Sequence, residues 1–408
     1  MKNVWMLNHY AIAPNESGGT RHFSLSRHLR DYGWESSIVA ASIEHDNGKQ
    51  RLETGRKWRI DFHDGVRFLW LRTPPYRGNG GGRMMNMLAY CLRACQHAST
   101  RDLPRPDVII GSSVHPFAAV SGAFLARRFG VPFIFEVRDL WPQTLIDLGR
   151  LEQNSGMAKV MRKIELWLYQ RAARIVVLLP GAGDYIEPLG IDRHKIIWLP
   201  NGVELEGAKV PEPAANDDEF IVMYFGAHGT ANGIENILRA FAILEKRAGT
   251  EGIVLQLIGD GPAKPTLMEL ANDLQLKRVT FKPPVPKSQI PTLAEKADAF
   301  VFNLIAAPVF KYGISSNKLF DYLAAARPII FCSDAANNPI DEARAGVTVP
   351  PDSPQALADA IVQLAAIPAD QRAQMGRAGR KYVEAKHSYQ QLARELAAIL
   401  DDVADSNK

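Results

Sequence analysis

One feature limits what this chain can fold into more than any other. Over almost its whole length, short apolar runs alternate with longer stretches of helical periodicity. Apolar runs of this length read as buried strands, and the stretches between them are long enough for crossover helices. The alternation therefore predicts βαβ units and parallel sheets. In the first half, strands are predicted at Asn3–Asn8, Ser36–Ala41, Arg67–Leu71, Val108–Gly111, Phe133–Val137 and Ile175–Leu179. Helices are predicted at Gly19–Tyr32, Met84–Ala98, Pro116–Arg128 and Met157–Arg174. The pattern restarts after Pro211-Glu-Pro-Ala-Ala-Asn-Asp-Asp, a polar linker. Strands then follow at Phe220–Phe225, Val254–Gly259, Val279–Lys282, Ala299–Asn303, Ile329–Cys332 and Val347–Val349. The helices between and after them include Ile234–Arg247, Lys264–Leu274, Asn317–Ala325, Pro354–Ala365 and the amphipathic Tyr389–Val403.

The expected fold is α/β, with two doubly wound Rossmann-like domains facing across a cleft. The first spans 1–205, with the C-terminal helix (389–408) packing back on it, and the second spans 206–388. Ligands of such folds sit at the carboxyl ends of the strands, so loops there are the places to search.

At 408 residues the chain can bury two cores, and 46% hydrophobic with 23% charged residues excludes disordered and collagenous classes. A net charge of +4 does not announce a nucleic-acid partner. The three cysteines, Cys91, Cys95 and Cys332, give no disulfide framework. Cys91 and Cys95 lie one helical turn apart but lack a completing ligand set, which favours buried structural thiols over a metal site. No run approaches the ~20 apolar residues of a membrane span, and Val4–Leu7 is too short for a signal sequence. A cytoplasmic protein is expected. Between Arg51 and Arg105, however, arginines far outnumber acids around the soft apolar run Met84 to Leu92. Two readings stand there: a surface resting on anionic lipid, or a core-packing helix ringed by solvated arginines.

Several loops carry candidate chemistry. Gly18 and Gly19 precede a helix start, where backbone amides can meet an anion, and Arg21 could add charge. The spacing is neither a dinucleotide fingerprint nor a P-loop. His115 follows one strand end and Asp139 the next, after Glu136-Val-Arg-Asp-Leu-Trp-Pro. Tyr224-Phe-Gly-Ala-His-Gly and Ile258-Gly-Asp-Gly-Pro are glycine turns suited to phosphate or base. Ser315, Ser316 and Asn317 are good helix caps, and Lys318 and Asp321 share a helix face three residues apart. That places a cation and free amides one turn from a carboxylate able to take two ribose hydroxyls. A capped helix with a surface Lys–Asp pair has the same spacing.

With these landmarks in order, together with Leu199-Pro-Asn-Gly-Val, the chain resembles retaining glycosyltransferases of the GT-B fold, family 4. It looks closest to the bacterial O-antigen and exopolysaccharide branch that includes N-acetyl-L-fucosamine transferases. The resemblance implies transfer of a sugar from a UDP-sugar to a lipid-linked or glycan acceptor, with no cofactor and no metal. It also implies front-face attack assisted by the leaving phosphate. Asp321 matches the second glutamate of the family's Glu-x7-Glu motif, whereas Gly313 stands where the first would be. His228 and Asn232 occupy the neighbourhood of the family's basic pair. Lys318 is the replacement cation, and His115 and Asp139 are expected to position the acceptor hydroxyl. The donor-binding set expected on this basis is Gly18, Gly19, Arg21, Gly226, His228, Gly259, Gly261, Val285, Ser316, Asn317, Lys318, Leu319 and Asp321. A non-catalytic nucleotide-sugar-binding subunit and a UDP-sugar 2-epimerase are the competing readings.

Overall fold

A computed structural model describes all residues except 15, 17, 45–47, 77, 79, 114, 206–218 and 407–408, and of residue 288 the backbone alone. The linker Pro211 to Asp218 lies outside the described residues. The chain divides into two compact units, 1–200 with 389–408, and 201–388. The first unit thus ends at Pro200 rather than at 205.

Unit 1 is built from β1 (Lys2–Leu7), α1 (Arg21–Leu29), β2 (Trp34–Ala41), β3 (Trp58–His63), β4 (Val66–Leu71), α2 (Gly81–Cys95), α3 (His97–Thr100), β5 (Val108–Ser113) and α4 (Pro116–Phe129). It continues through β6 (Phe133–Val137), α5 (Gln143–Asp147), α6 (Gly156–Arg171), β7 (Arg174–Val177), α7 (Ala182–Ile186) and β8 (Ile196–Trp198). The eight strands lie in the order β3-β4-β2-β1-β5-β6-β7-β8. All neighbours are parallel except β3 and β4. Those two form a hairpin, absent from the sequence expectation, across Asp64 (φ 44) and Gly65 (φ 77). Two positive φ values at an Asp-Gly pair are what a tight hairpin of right-handed twist demands. α2 begins at Gly81 and ends at Cys95, three residues ahead of the expected Met84–Ala98 at each end.

Unit 2 follows with β9 (Phe220–Phe225), α8 (Ile234–Leu244), β10 (Ile253–Ile258), α9 (Lys264–Asp273), β11 (Val279–Lys282), α10 (Ile290–Ala294), β12 (Ala299–Asn303), α11 (Asn317–Ala324), β13 (Ile329–Cys332), α12 (Pro339–Ala343), β14 (Gly346–Val349), α13 (Pro354–Ala366) and α14 (Ala369–Lys386). Its parallel sheet runs β11-β10-β9-β12-β13-β14. β9 shows why its strands are continuously apolar. Val222 and Tyr224 enter the core beneath α8 and α13, while Ile221, Met223 and Phe225 enter the opposite core with α11. Alternate side chains of a strand covered on both faces must all be apolar.

The last helix, α15 (Tyr389–Asp405), belongs to unit 1. Leu392, Leu396, Leu400 and Val403 recur at helical spacing and join the core holding Leu25, Leu29, Trp34 and Phe68. Asp401 fixes the register by accepting from Lys2 Nζ (2.8 Å) and Trp34 Nε1 (3.2 Å).

In each unit the strand order reverses beside the first strand, between β1 and β5 and between β9 and β12. Loops diverge there and leave room for a ligand.

Candidate active site

In unit 2 the switch point is dominated by Lys318. Ser316 is extended (φ −85, ψ 124) and precedes α11, yet its hydroxyl makes no capping bond. Ser315 is engaged with Asn201, whose N–H donates to its Oγ at 2.8 Å. The expected side-chain caps are therefore not made, and the first turn of α11 keeps its positive end uncapped. Lys318 turns its amine inward. Its Nζ donates to Tyr224 Oη (3.0 Å) and Asn232 Oδ1 and lies 4.6 and 5.0 Å over the Tyr224 and Phe302 rings. Burial pulls its pKa down to about 7.

Asp321 stands one turn further on. Lys287 Nζ lies 2.6 and 2.5 Å from its two carboxylate oxygens. The carboxylate expected to be open to ribose thus carries a cation that sequence reasoning missed. Lys287 is 34 residues away along the chain, and no local spacing links the two.

Other members of the expected donor set occupy different settings. Leu319 is fully buried in the core beneath α11, and its N–H donates to Ser316 O. Its side chain is a core residue. A Cβ on Gly259 (φ 145) would lie 1.9 Å from Gly226 O, and one on Gly261 would lie 2.5 Å from His228 O. On the sides where a Cβ would project, these glycines let the two turns pack against each other. His228 is completely buried against Tyr224 and Phe281, and neither ring nitrogen has a hydrogen-bond partner. Burial and the Lys264 charge hold its pKa near 4, so the ring is neutral. Val285 is partly buried against the α11 core. Asn317 keeps a buried Oδ1 that accepts nothing.

In unit 1, Gly18 and Gly19 are exposed, but Arg21 is not. Its Nε donates to Glu136 Oε1 (2.9 Å), its Nη2 to Leu199 O (3.0 Å) and its Nη1 to Pro200 O. A guanidinium that is 1% exposed and claimed by three acceptors is a structural clamp, which corrects the expectation that it meets a ligand. Glu136 also accepts from Ser112 Oγ (2.6 Å) and His22 Nε2 (2.8 Å). Burial alone would raise the Glu136 pKa, but His22 and Arg21 outweigh it and hold the carboxyl well below the usual range.

His115 lies at the unit 1 switch point. It is 1% exposed, with Nε2 2.6 Å from His9 Nδ1 and no partner at Nδ1. Asp139 is exposed beyond β6 and makes no hydrogen bond with His115.

The basic stretch also reads differently in three dimensions. Arg51 pairs with Glu16 and covers Trp70 at 4.4 Å, Arg59 pairs with Asp61, and Arg72 donates to the carbonyls of Leu52, Glu53 and Arg56. Part of the counted charge is thus spent inside the unit. What α2 does expose is apolar: Met84, Met85, Leu88 and Leu92. Cys91 and Cys95 are half-buried thiols, and Ser121 Oγ lies 2.9 Å from Cys91 Sγ. No group of three or more His, Cys, Asp or Glu capable of holding a metal occurs among the described residues.

Two doubly wound Rossmann-like units in succession are the arrangement of the GT-B fold. Comparison with known proteins agrees. Residues 18–202 match the glycosyl transferase 4-like domain, and residues 219–366 match glycosyl transferases group 1. The chain belongs to the glycosyltransferases that join these two domains. The protein named "Probable glycosyltransferase WbjE" of Pseudomonas aeruginosa is 26% identical over 280 residues, 64% of this chain and 66% of that relative. The match thus spans just under two thirds of the relative. Sucrose-phosphate synthase from Thermosynechococcus elongatus superposes with a TM-score of 0.76 over 100% of both chains at 17% identity. Anabaena Alr3699/HepE in complex with UDP-glucose gives 0.68 at 11% identity, covering 98% of this chain and 100% of that one. These structural likenesses speak for the fold. Among the described residues no helix is long and apolar enough to cross a membrane.

Proposed function

We propose that the protein moves a hexose, with an N-acetylated amino sugar the first to try, from a UDP-sugar to a lipid-linked or glycan acceptor in surface polysaccharide biosynthesis. The anomeric configuration is retained and no metal takes part. The observation carrying this reading is Lys318. Among the described residues its amine has no carboxylate partner; it rises from the first turn of α11, and burial alone brings its pKa down to about 7. A diphosphate placed there would restore its charge and supply the counter-ion that a metal supplies elsewhere. The leaving phosphate would then assist the incoming hydroxyl, with His115 and Asp139 as its positioning groups. HepE, a structural neighbour, binds UDP-glucose, which supports the choice of donor. The exposed apolar stripe of α2 supports docking on the inner face of the cytoplasmic membrane, where a lipid-linked acceptor would lie.

The test is calorimetry with UDP and UDP-sugars on the wild type and Lys318→Ala. Loss of the amine should weaken UDP binding by roughly tenfold or more, since hydrogen bonds to charged groups contribute ~1.5–3 kcal/mol. Equal affinities would exclude the role. Gly313 in place of the family's carboxylate, and Lys287 on Asp321, favour a second reading as a nucleotide-sugar-binding subunit without turnover. UDP binding without any release of UDP from UDP-sugars would select it.

A further inference from the structure

His115 is one end of a chain of hydrogen bonds whose proton positions can be worked out from its other end. That end is Asn86, completely buried on α2. One side-chain atom of Asn86 lies 2.6 Å from Pro74 O and 3.0 Å from Thr73 Oγ1. A carbonyl oxygen can only accept, so this atom is the amide nitrogen. The amide oxygen therefore faces His9, at 2.6 Å from Nε2. Two acceptors at that distance would repel, so His9 Nε2 carries hydrogen. A neutral His9 then presents a lone pair at Nδ1, 2.6 Å from His115 Nε2, which must carry hydrogen in turn.

His9 has little freedom to do otherwise. Its ring is stacked between Tyr10 (4.4 Å) and Tyr90 (4.7 Å), and Tyr90 is tied by its hydroxyl to Val39 O at 2.7 Å. Burial above all, with the Arg83 charge beside it, keeps His115 neutral, its pKa well below 6.5. His115 Nδ1 is then left as a lone pair that no group among the described residues uses. A bare acceptor in so buried a place is complementary to a neutral hydroxyl and hostile to a carboxylate or phosphate oxygen.

We infer that Asn86 and His9 are positioning residues that lock His115 in the Nε2–H form, so that its Nδ1 accepts a hydrogen bond from a sugar hydroxyl. This rests on the reading that His115 meets substrate. The relay acts through His115 alone and needs no charge to move along it.

Long-range proton–nitrogen NMR on the full chain with ring-15N histidine reads the tautomer directly, with His115→Gln identifying the signal. Near pH 7.5 the wild type should show a protonated Nε2 and a bare Nδ1 at His115. Asn86→Leu and His9→Phe should each turn this into a mixture. Both should also lower kcat for UDP release from UDP-N-acetylglucosamine or UDP-glucose by roughly tenfold or more. Donor KM should stay within about twofold, because the cation grip lies in unit 2. A protonated Nδ1 in the wild type, an unchanged tautomer in both variants, or an unchanged kcat despite a changed tautomer would each overturn the inference. Failure of the proposed function would appear separately, as absent UDP binding in calorimetry, and would leave the NMR result readable.

Discussion

Lys318 places an amine in a site that disfavours its charge, and this has a measurable sign. Its pKa of about 7 lies below the ordinary lysine value of 10.5, so folding favours the neutral amine between those limits. The unfolded chain binds more protons there, and the contribution of this group to stability rises with pH from about 7 upward. The diphosphate proposed to bind there would reverse the preference. At about pH 8 most Lys318 amines are neutral, so UDP binding should take up most of a proton, and affinity should fall as pH rises above about 7. Calorimetry in two buffers of different ionisation heat measures the uptake, and Lys318→Arg should abolish it because guanidinium stays charged. Glu136 holds the opposite lesson. Glu136→Ala would leave Arg21 charged and buried, and should cost about 3–5 kcal/mol in denaturant unfolding. That Lys318 stands at the start of α11 was legible in the sequence, because Ser315, Ser316 and Asn317 mark a helix start; that its amine turns in to Tyr224 and Asn232 was not. Nor was the fate of Arg21. Its partner stands 115 residues away, and a charge next to paired glycines looks the same whether it meets a ligand or a carboxylate.

Elements that bury both faces announced themselves. β9, β12 and β13 are continuous apolar runs, and such runs have few alternative uses. β3 escaped because Trp58–His63 is an edge strand without fully buried residues, and therefore lacks that signature. Its Asp64-Gly65 turn was the available signal. α2 was legible as an amphipathic stretch, but only the structure separates its two faces. Asn86 and Tyr90 point inward, while Met85 and Leu92 are 60% and 68% exposed. If the outer face meets lipid, Met85→Glu with Leu92→Glu should reduce flotation with anionic vesicles, and UDP affinity should stay unchanged. Flotation equal to wild type would mean that this stripe is not the docking element. Phosphatidylcholine vesicles should give weaker binding than phosphatidylglycerol ones, by about 1 kcal/mol per basic residue near the surface.

At the scale of the molecule, the two doubly wound units followed from a pattern that repeats on either side of a polar linker. The closure of unit 1 by α15 has a consequence in time. Unit 2 is one continuous segment, 201–388, whereas unit 1 is interrupted and takes its final helix from 389–408. During synthesis the chain emerges from one end, so Leu25, Trp34 and Phe68 must wait for Leu392, Leu396 and Leu400, which are made after the whole of unit 2. A chain ending at Ser388 should therefore show faster hydrogen exchange in β1, β2 and β4, while β9, β10 and β12 keep wild-type protection. Equal protection in both units would show that unit 1 closes without its last helix. The second unit is ready first, and the unit that begins the chain is the last to be finished.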